Sequence, residues 1–252
     1  MTDRLDTYWN DLDAELATWA AAGQTVRLWL RDDDAVASTD ALRRLIGFAR
    51  QHEIAVLLAV IPDLMRDDLV APVAATPHID VAVHGLSHAS HAREGEKKIE
   101  LGGTVDPEDL LARLATARNR LHQSFGTRAT NILVPPWNRI EPSVSARAGT
   151  AGFAAISGFG WMPGEIDMPW LNTHVDIIDW RGTRGGKPVG TIAEETLAAL
   201  KRAREADFAP VGILAHHLVH DEAAWLALDQ LAKWAARHQV VSWNSARSLL
   251  AA

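Results

Sequence analysis

Three carboxylates in a row, Asp32, Asp33 and Asp34, close an apolar segment that contains Leu28, Trp29 and Leu30. Carboxylate oxygens can ligate a divalent cation, accept a proton or cap a helix, and their neighbours decide which. Further along, HGLSH sets His84 and His88 four residues apart. On a helical turn this spacing predicts two imidazoles on one side, near enough to share an ion. Two histidines and one carboxylate make the three-ligand set of a catalytic zinc-type site, which keeps one position open for water. A second carboxylate beside the ligand could take a proton from that water, whose acidity the ion raises. Each feature alone is weak. Adjacent aspartates are commonly a cap or a solvated loop, an isolated His-x-x-x-H is commonly surface, and His91, one turn further on, could be a third ligand but reads more readily as surface.

Such residues do chemistry together only if the fold gathers them. Short β-branched or Leu-rich runs at 26–31, 54–60, 79–84, 131–136, 153–157, 174–179, 211–216 and 240–243 alternate with segments of helical period. That alternation predicts repeated βα units: an α/β fold with seven or eight parallel strands. Helix starts are read at Ser38-Thr39-Asp40, at Asp106-Pro107-Glu108, and at a capping box of Thr191 with Glu194. Residues 158–173 lack a period and read as a long loop over one face. In a closed parallel barrel the carboxyl ends of the strands converge on one face. Five of the predicted strand ends carry groups suited to a site: the Asp run, His84 with His88, Pro136 with Trp137, Asp179 with Trp180, and His216 with His217.

Composition narrows the partners. The chain has 252 residues, 48% of them hydrophobic, and a net charge of −7. One domain over residues 1–252 is the expectation, with no basic face for nucleic acid or anionic lipid. There is no cysteine, so disulfides, thiolate metal sites and a cysteine nucleophile are excluded. The amino terminus lacks the order of a signal peptide and no run approaches a membrane span, so a cytoplasmic protein is expected.

The ordered set of Asp pair, His pair, Pro-Pro-aromatic, Asp-Trp and Leu-x-His resembles the polysaccharide deacetylase family, metal-dependent carbohydrate esterases on an irregular (β/α) barrel, from about Val26 to the final VVSWNSARSL. The resemblance implies removal of an N- or O-linked acetyl group from a small sugar or oligosaccharide. It implies a divalent metal, Zn2+ first, with Co2+ or Ni2+ tolerated. Within RDDDA it gives two registers: Asp33 as general base with Asp34 as ligand, which puts Ala35 in the usual small position, or Asp32 with Asp33. His84 and His88 are the implied remaining ligands, and His216 of Leu214-Ala215-His216 the implied general acid. Trp137 and Trp180 could wall a sugar pocket with Pro136 and His217, and Asp179 could orient His216. Neighbouring strand residues point to opposite faces, so His216 enters the barrel only if Leu214 does. The chain departs from the family at Val134 and Asn138, where an Arg that holds the base and a Gly are usual; Arg31 and Arg139 are the nearby cations. A hydrolase of a non-sugar amide and an inactive carbohydrate-binding relative are the alternative readings.

Overall fold

Strand β1 (Val26–Ala35) is the spine of the sheet, because its two faces read differently. Val26, Leu28 and Leu30 join the layer of core packed under the helices, whereas Trp29 joins a second cluster with Leu57, Ala59, Ala82, Ile132, Val134 and Ala155. This second cluster is the barrel interior, and the alternation follows from the two-residue period of a strand. The structure is a computed structural model that describes residues 2–161 and 168–251, with side chains from Tyr8 onward.

Around β1 stand β2 (Val56–Val60), β3 (Ile79–His84), β4 (Ala129–Val134), β5 (Ala155–Ile156), β6 (Thr173–Asp176), β7 (Val211–Ala215) and β8 (Val241–Trp243). The order is β5-β4-β3-β2-β1-β7-β6, every pairing is parallel, and β8 pairs with the start of β1. The outer strands are joined by parallel bridges Ile156–Trp170 and Phe159–Thr173, which curl the sheet into an irregular barrel. The loop expected over 158–173 is therefore partly strand-like at its flanks, and its residues 162–167 lie outside the described ones.

The helices are α1 (Thr2–Ala21), α2 (Asp40–His52), α3 (Val70–Ala74), α4 (Pro107–Phe125), α5 (Pro142–Ser145), α6 (Val189–Glu205), α7 (Glu222–Ala236) and α8 (Ala246–Leu250). Thr39 caps α2 by accepting from the Leu42 N–H, and Asp106 caps α4 with Pro107 at the first position, as their sequences predict. The predicted capping box is corrected: α6 starts at Val189 behind Pro188, whose fixed φ already suits a helix entrance, so Thr191 lies inside it. Helix α1, not anticipated from sequence, lies on α6 through buried Leu12, Leu16 and Trp19 and a Glu15–Arg204 ion pair of 2.9 Å. The barrel floor is shut by α8, whose Ala246, Leu249 and Leu250 pack into the interior cluster. Trp29 fills the space beside Gly212, where a Cβ would lie 2.6 Å from the indole. Among the described residues, no helix is long and apolar enough to cross a membrane.

Candidate active site

The three aspartates of β1 end in three different environments. Asp32 shares the helix-facing side with Leu28 and Leu30 and is fully buried. Its carboxylate accepts from the His217 backbone N–H at 2.8 Å and from His217 Nδ1 at 2.5 Å. Asp33 follows Trp29 and Arg31 to the interior. Arg31 grips it twice, Nε to Oδ1 at 2.9 Å and Nη2 to Oδ2 at 3.0 Å. Asp34 would by strict alternation turn back to the helices, but the β1–β2 register shifts between Asp32 and Ala35 and Asp34 adopts φ +71°. An irregularity of this kind re-aims one side chain, and Asp tolerates positive φ better than most residues. Asp33 and Asp34 consequently both line the cavity at the barrel mouth.

Arg31 is itself fully buried and held by more than its partner. It donates to the Ser157 carbonyl (2.8 Å), Ser157 Oγ (2.8 Å), the Gly158 carbonyl (3.0 Å) and Asn138 Oδ1 (2.6 Å). The two departures noted in the sequence thus meet: Arg31 supplies the cation missing at Val134, and Asn138 secures it.

His84 ends β3. Its Nδ1–H donates to the Val134 carbonyl at 3.0 Å, which leaves Nε2 facing Asp34 Oδ1 at 3.1 Å. His88 Nε2 approaches the same oxygen at 3.4 Å. The helical turn expected between them is absent; residues 85–88 form a loop, with Gly85 at φ +57° and His88 at φ +58°. The loop is shaped by Glu100, a fully buried carboxylate that sequence reading missed. It accepts from the N–H groups of Leu86 (3.0 Å), Ser87 (2.7 Å) and Ala89 (3.3 Å) and from Ser87 Oγ (3.0 Å). Gly85 is required beneath it, since a Cβ there would come within 2.0 Å of Glu100 Oε2. His91 lies on the same loop and bonds through Nδ1 to the Glu100 carbonyl.

Opposite this cluster, β7 sends Leu214 and His216 inward, while Ile213 and Ala215 join the helix-facing core. His216 Nε2 stands 4.0 Å from Asp33 Oδ2. The remaining wall comes from β4, β5 and β6: Trp137, Asn138 and Arg139, then Phe159, then Asp176, Trp180 and Arg181, around a cavity of about 570 Å3. Trp137 and Asn138 both have positive φ (+54° and +56°), which tips the indole against His88 with ring centroids 4.4 Å apart. Trp180 meets His216 edge to face at 4.8 Å and donates its Nε1–H to Asp176 Oδ2 at 2.8 Å.

Three expected site residues sit elsewhere. Asp179 does not reach His216: β6 already ends at Asp176, and the Asp179 carboxylate accepts from the Gly182 and Thr183 N–H groups in a surface turn. The β6 carboxylate that lines the cavity is instead Asp176, whose own pKa is raised by burial, partly offset by His216, the Ile178 N–H and the Trp180 indole. His217 is buried behind the wall with Asp32, away from the cavity. Pro136 is buried against Gly85 and braces the histidine loop from below rather than lining the cavity.

Asp34, His84 and His88 suit a divalent cation by donor type and spacing, with ligand atoms all within 4.8 Å of one another. Two ligands about 2.1 Å from a tetrahedral ion stand roughly 3.4 Å apart, close to the contacts of both Nε2 atoms with Oδ1. The Val134 carbonyl fixes the His84 tautomer as a ligating imidazole requires. Burial pushes the Asp34 carboxyl up, yet the hydrogen bond and charge of His84, with His216 and His88, hold it down to about 2. The Asp34 carboxylate is therefore ionised at neutral pH.

No protein-family model and no curated protein matches this sequence. Solved structures do. A family 4 acetyl xylan esterase from Clostridium thermocellum, in complex with cobalt, superposes with a TM-score of 0.60 at 13% identity, over 89% of this chain and 90% of its own. A peptidoglycan N-acetylglucosamine deacetylase gives 0.59 at 14%, over 88% and 87%. A polysaccharide deacetylase from Bacillus cereus gives 0.55 at 16%, over 88% and 92%. At such identities it is the architecture that is common: the chain has the irregular (β/α) barrel fold on which these esterases and deacetylases are built.

Proposed function

We propose that the protein is a metal-dependent hydrolase that removes an acetyl group, N- or O-linked, from a carbohydrate. The observation that carries this reading is the meeting in one cavity of Asp33 clamped by Arg31, the cluster Asp34–His84–His88, and His216 across the opening. Asp34, His84 and His88 would hold the ion, and zinc suits their N and O donors, with cobalt or nickel compatible. When bound, a divalent ion supplies the Lewis acidity that favours attack of water on an acyl carbonyl.

Asp33 accepts the proton of the attacking water, with Arg31 fixing both carboxylate oxygens so that one lone pair is aimed into the cavity. His216 gives a proton to the departing amine or alkoxide. His216 Nε2 and Asp33 Oδ2, 4.0 Å apart, are beyond hydrogen-bond distance of each other and line the same cavity. Asp176 lines the same cavity, with the Trp180 indole tied to its carboxylate and packed edge to face on His216. Trp137 and Trp180 offer flat apolar faces to the C–H side of a sugar ring. The polar ring hydroxyls are left to bond elsewhere.

The test is metal content of the purified protein followed by acetate release from a panel of N-acetyl and O-acetyl sugars, with and without chelation. Chelation should abolish release. Failure to liberate acetate from any sugar by metal-loaded protein refutes the reading. Cleavage of another amide would then point to a non-sugar substrate on the same fold.

A further inference from the structure

The cavity has two unlike walls. The ends of β1, β3 and β7 contribute Asp33, Asp34, His84, His88 and His216; the neighbouring ends of β4, β5 and β6 contribute aromatic rings and two guanidinium groups, Arg139 and Arg181. On this chain of net charge −7, several arginines on other surfaces are matched with carboxylates, as in Arg44–Glu222, Arg147–Glu108 and Arg204–Glu15. Among the described residues Arg139 and Arg181 are not. Arg139 is anchored by one N–H only, to the Lys98 carbonyl at 2.9 Å, and Lys98 in turn places its ammonium 5.6 Å over the Trp137 ring. The carboxylates inside the cavity do not supply the missing partners: Asp33 is taken by Arg31, Asp34 faces the two histidines, and Asp176 receives Trp180 and Ile178. Phe159 (45% exposed) and Trp180 (44% exposed) stand between the two arginines in chain order and remain open to solvent. A mouth that combines open aromatic faces with guanidinium groups lacking carboxylate partners among the described residues is suited to a sugar ring that bears an anion, since Arg matches oxyanions with two parallel N–H bonds.

We propose that the acetylated sugar received by this cavity carries an oxyanion, phosphate or carboxylate, seated by Arg139 and Arg181. The acetyl-removing chemistry rests on the function proposed above; the seat for the anion rests on the arginine wall. Because both arginines lie on loops at the rim rather than beside Asp33 or the histidines, they select the substrate and take no part in the bond cleavage.

Two measurements on the metal-loaded full chain separate these claims. In the first, tryptophan fluorescence, which Trp137 and Trp180 make sensitive to the cavity, follows titration with glucose, glucose 1-phosphate and glucuronate. At least one anionic sugar should bind ten-fold or more tightly than glucose at low salt, and the phosphate and glucuronate arms identify which oxyanion. In Arg139→Gln/Arg181→Gln that preference should fall below three-fold, with far-ultraviolet circular dichroism confirming the fold. Equal binding of charged and neutral sugars, no detectable binding of any at millimolar concentration, or a preference that survives in the double variant would each overturn the proposal, the last by locating the anion at the metal. In the second, acetate release is compared for N-acetylglucosamine, its 1-phosphate and N-acetylmuramic acid. Absence of acetate from all three and from the O-acetyl sugars of the panel above, with the arginine-dependent binding preference intact, would overturn the deacetylase reading and uphold the anion seat.

Discussion

Replacing Arg31 by Met removes the cation from a fully buried ion pair and leaves the Asp33 carboxylate facing an apolar side chain. Breaking a buried pair from one side costs about 3–5 kcal/mol, because the surviving charge has lost both water and partner. The Ser157 and Gly158 carbonyls, Ser157 Oγ and Asn138 Oδ1 also lose a donor, and each bond is worth about 0.5–1.5 kcal/mol net, although they do not simply add. A loss near 4 kcal/mol is the working figure. In a chain of this length about 2–4 °C accompanies each kcal/mol, so the melting temperature should drop by roughly 8–16 °C. The decisive comparison is a double-mutant cycle followed by thermal and urea unfolding. Asp33→Asn removes the stranded charge, so Arg31→Met/Asp33→Asn should be less destabilised than the sum of the singles by about 2–3 kcal/mol. Arg31→Lys keeps the charge but cannot reach both oxygens and the Ser157–Gly158 carbonyls with one nitrogen, and should fall between wild type and Arg31→Met. A melting temperature within 3 °C of wild type for Arg31→Met, or strict additivity in the cycle, refutes the clamp.

The other expectations concern neighbouring groups. Asp34→Asn should lose bound metal by elemental analysis, whereas Asp33→Asn should retain it and lose turnover by about 10²–10⁴-fold. Asp32→Asn, mild if that residue were a bystander, should instead lower stability by about 1.5–3 kcal/mol in urea unfolding while metal content is kept, because it weakens the buried bonds to His217. His216→Ala should keep its metal and lose far more activity on an acetamide than on an activated aryl acetate, whose leaving group needs no proton; His217→Ala should not show that selectivity. Burial lowers the His174 pKa from 6.5 to about 4, and its Nδ1 accepts from the Gly212 N–H at 3.1 Å. The unfolded chain therefore binds the extra proton between pH 6.5 and 4, so stability is full above 6.5 and falls as the pH drops, by up to about 2 kcal/mol at pH 5. His174→Gln should flatten that slope in melting curves recorded from pH 8 to pH 5.

The strands were legible because short branched runs at period two are a strong local signal, and the ends of those runs carried the polar groups. The inward direction of His216 followed from the same period once Leu214 was placed inside. What escaped depended on tertiary geometry. Arg31 reads as the polar end of an apolar run, although its two-residue spacing from both Trp29 and Asp33 was a signal that all three share a face. The positive φ of Asp34, which lets two successive carboxylates look the same way, has no local signature in an Asp-rich run. Glu100 closes the charged stretch EGEKKIE, which reads as surface, and nothing local tells that its carboxylate turns inward to collect four donors. HVDIID reads as a strand ending at Asp179, but β6 stops at the earlier aspartate, Asp176, and that one faces the cavity.

The closed floor of the barrel has a kinetic corollary. With Trp29 packed beside Gly212 and α8 folded across the far end, the cavity is blind-ended, and whatever enters at the mouth must leave by it. A small acid released next to the buried His84 would sit deeper than the sugar it came from. Departure is then ordered, sugar first and acid last, so acetate should compete with incoming substrate. The rate of emptying, rather than of bond breaking, would set the ceiling on turnover when acetate accumulates.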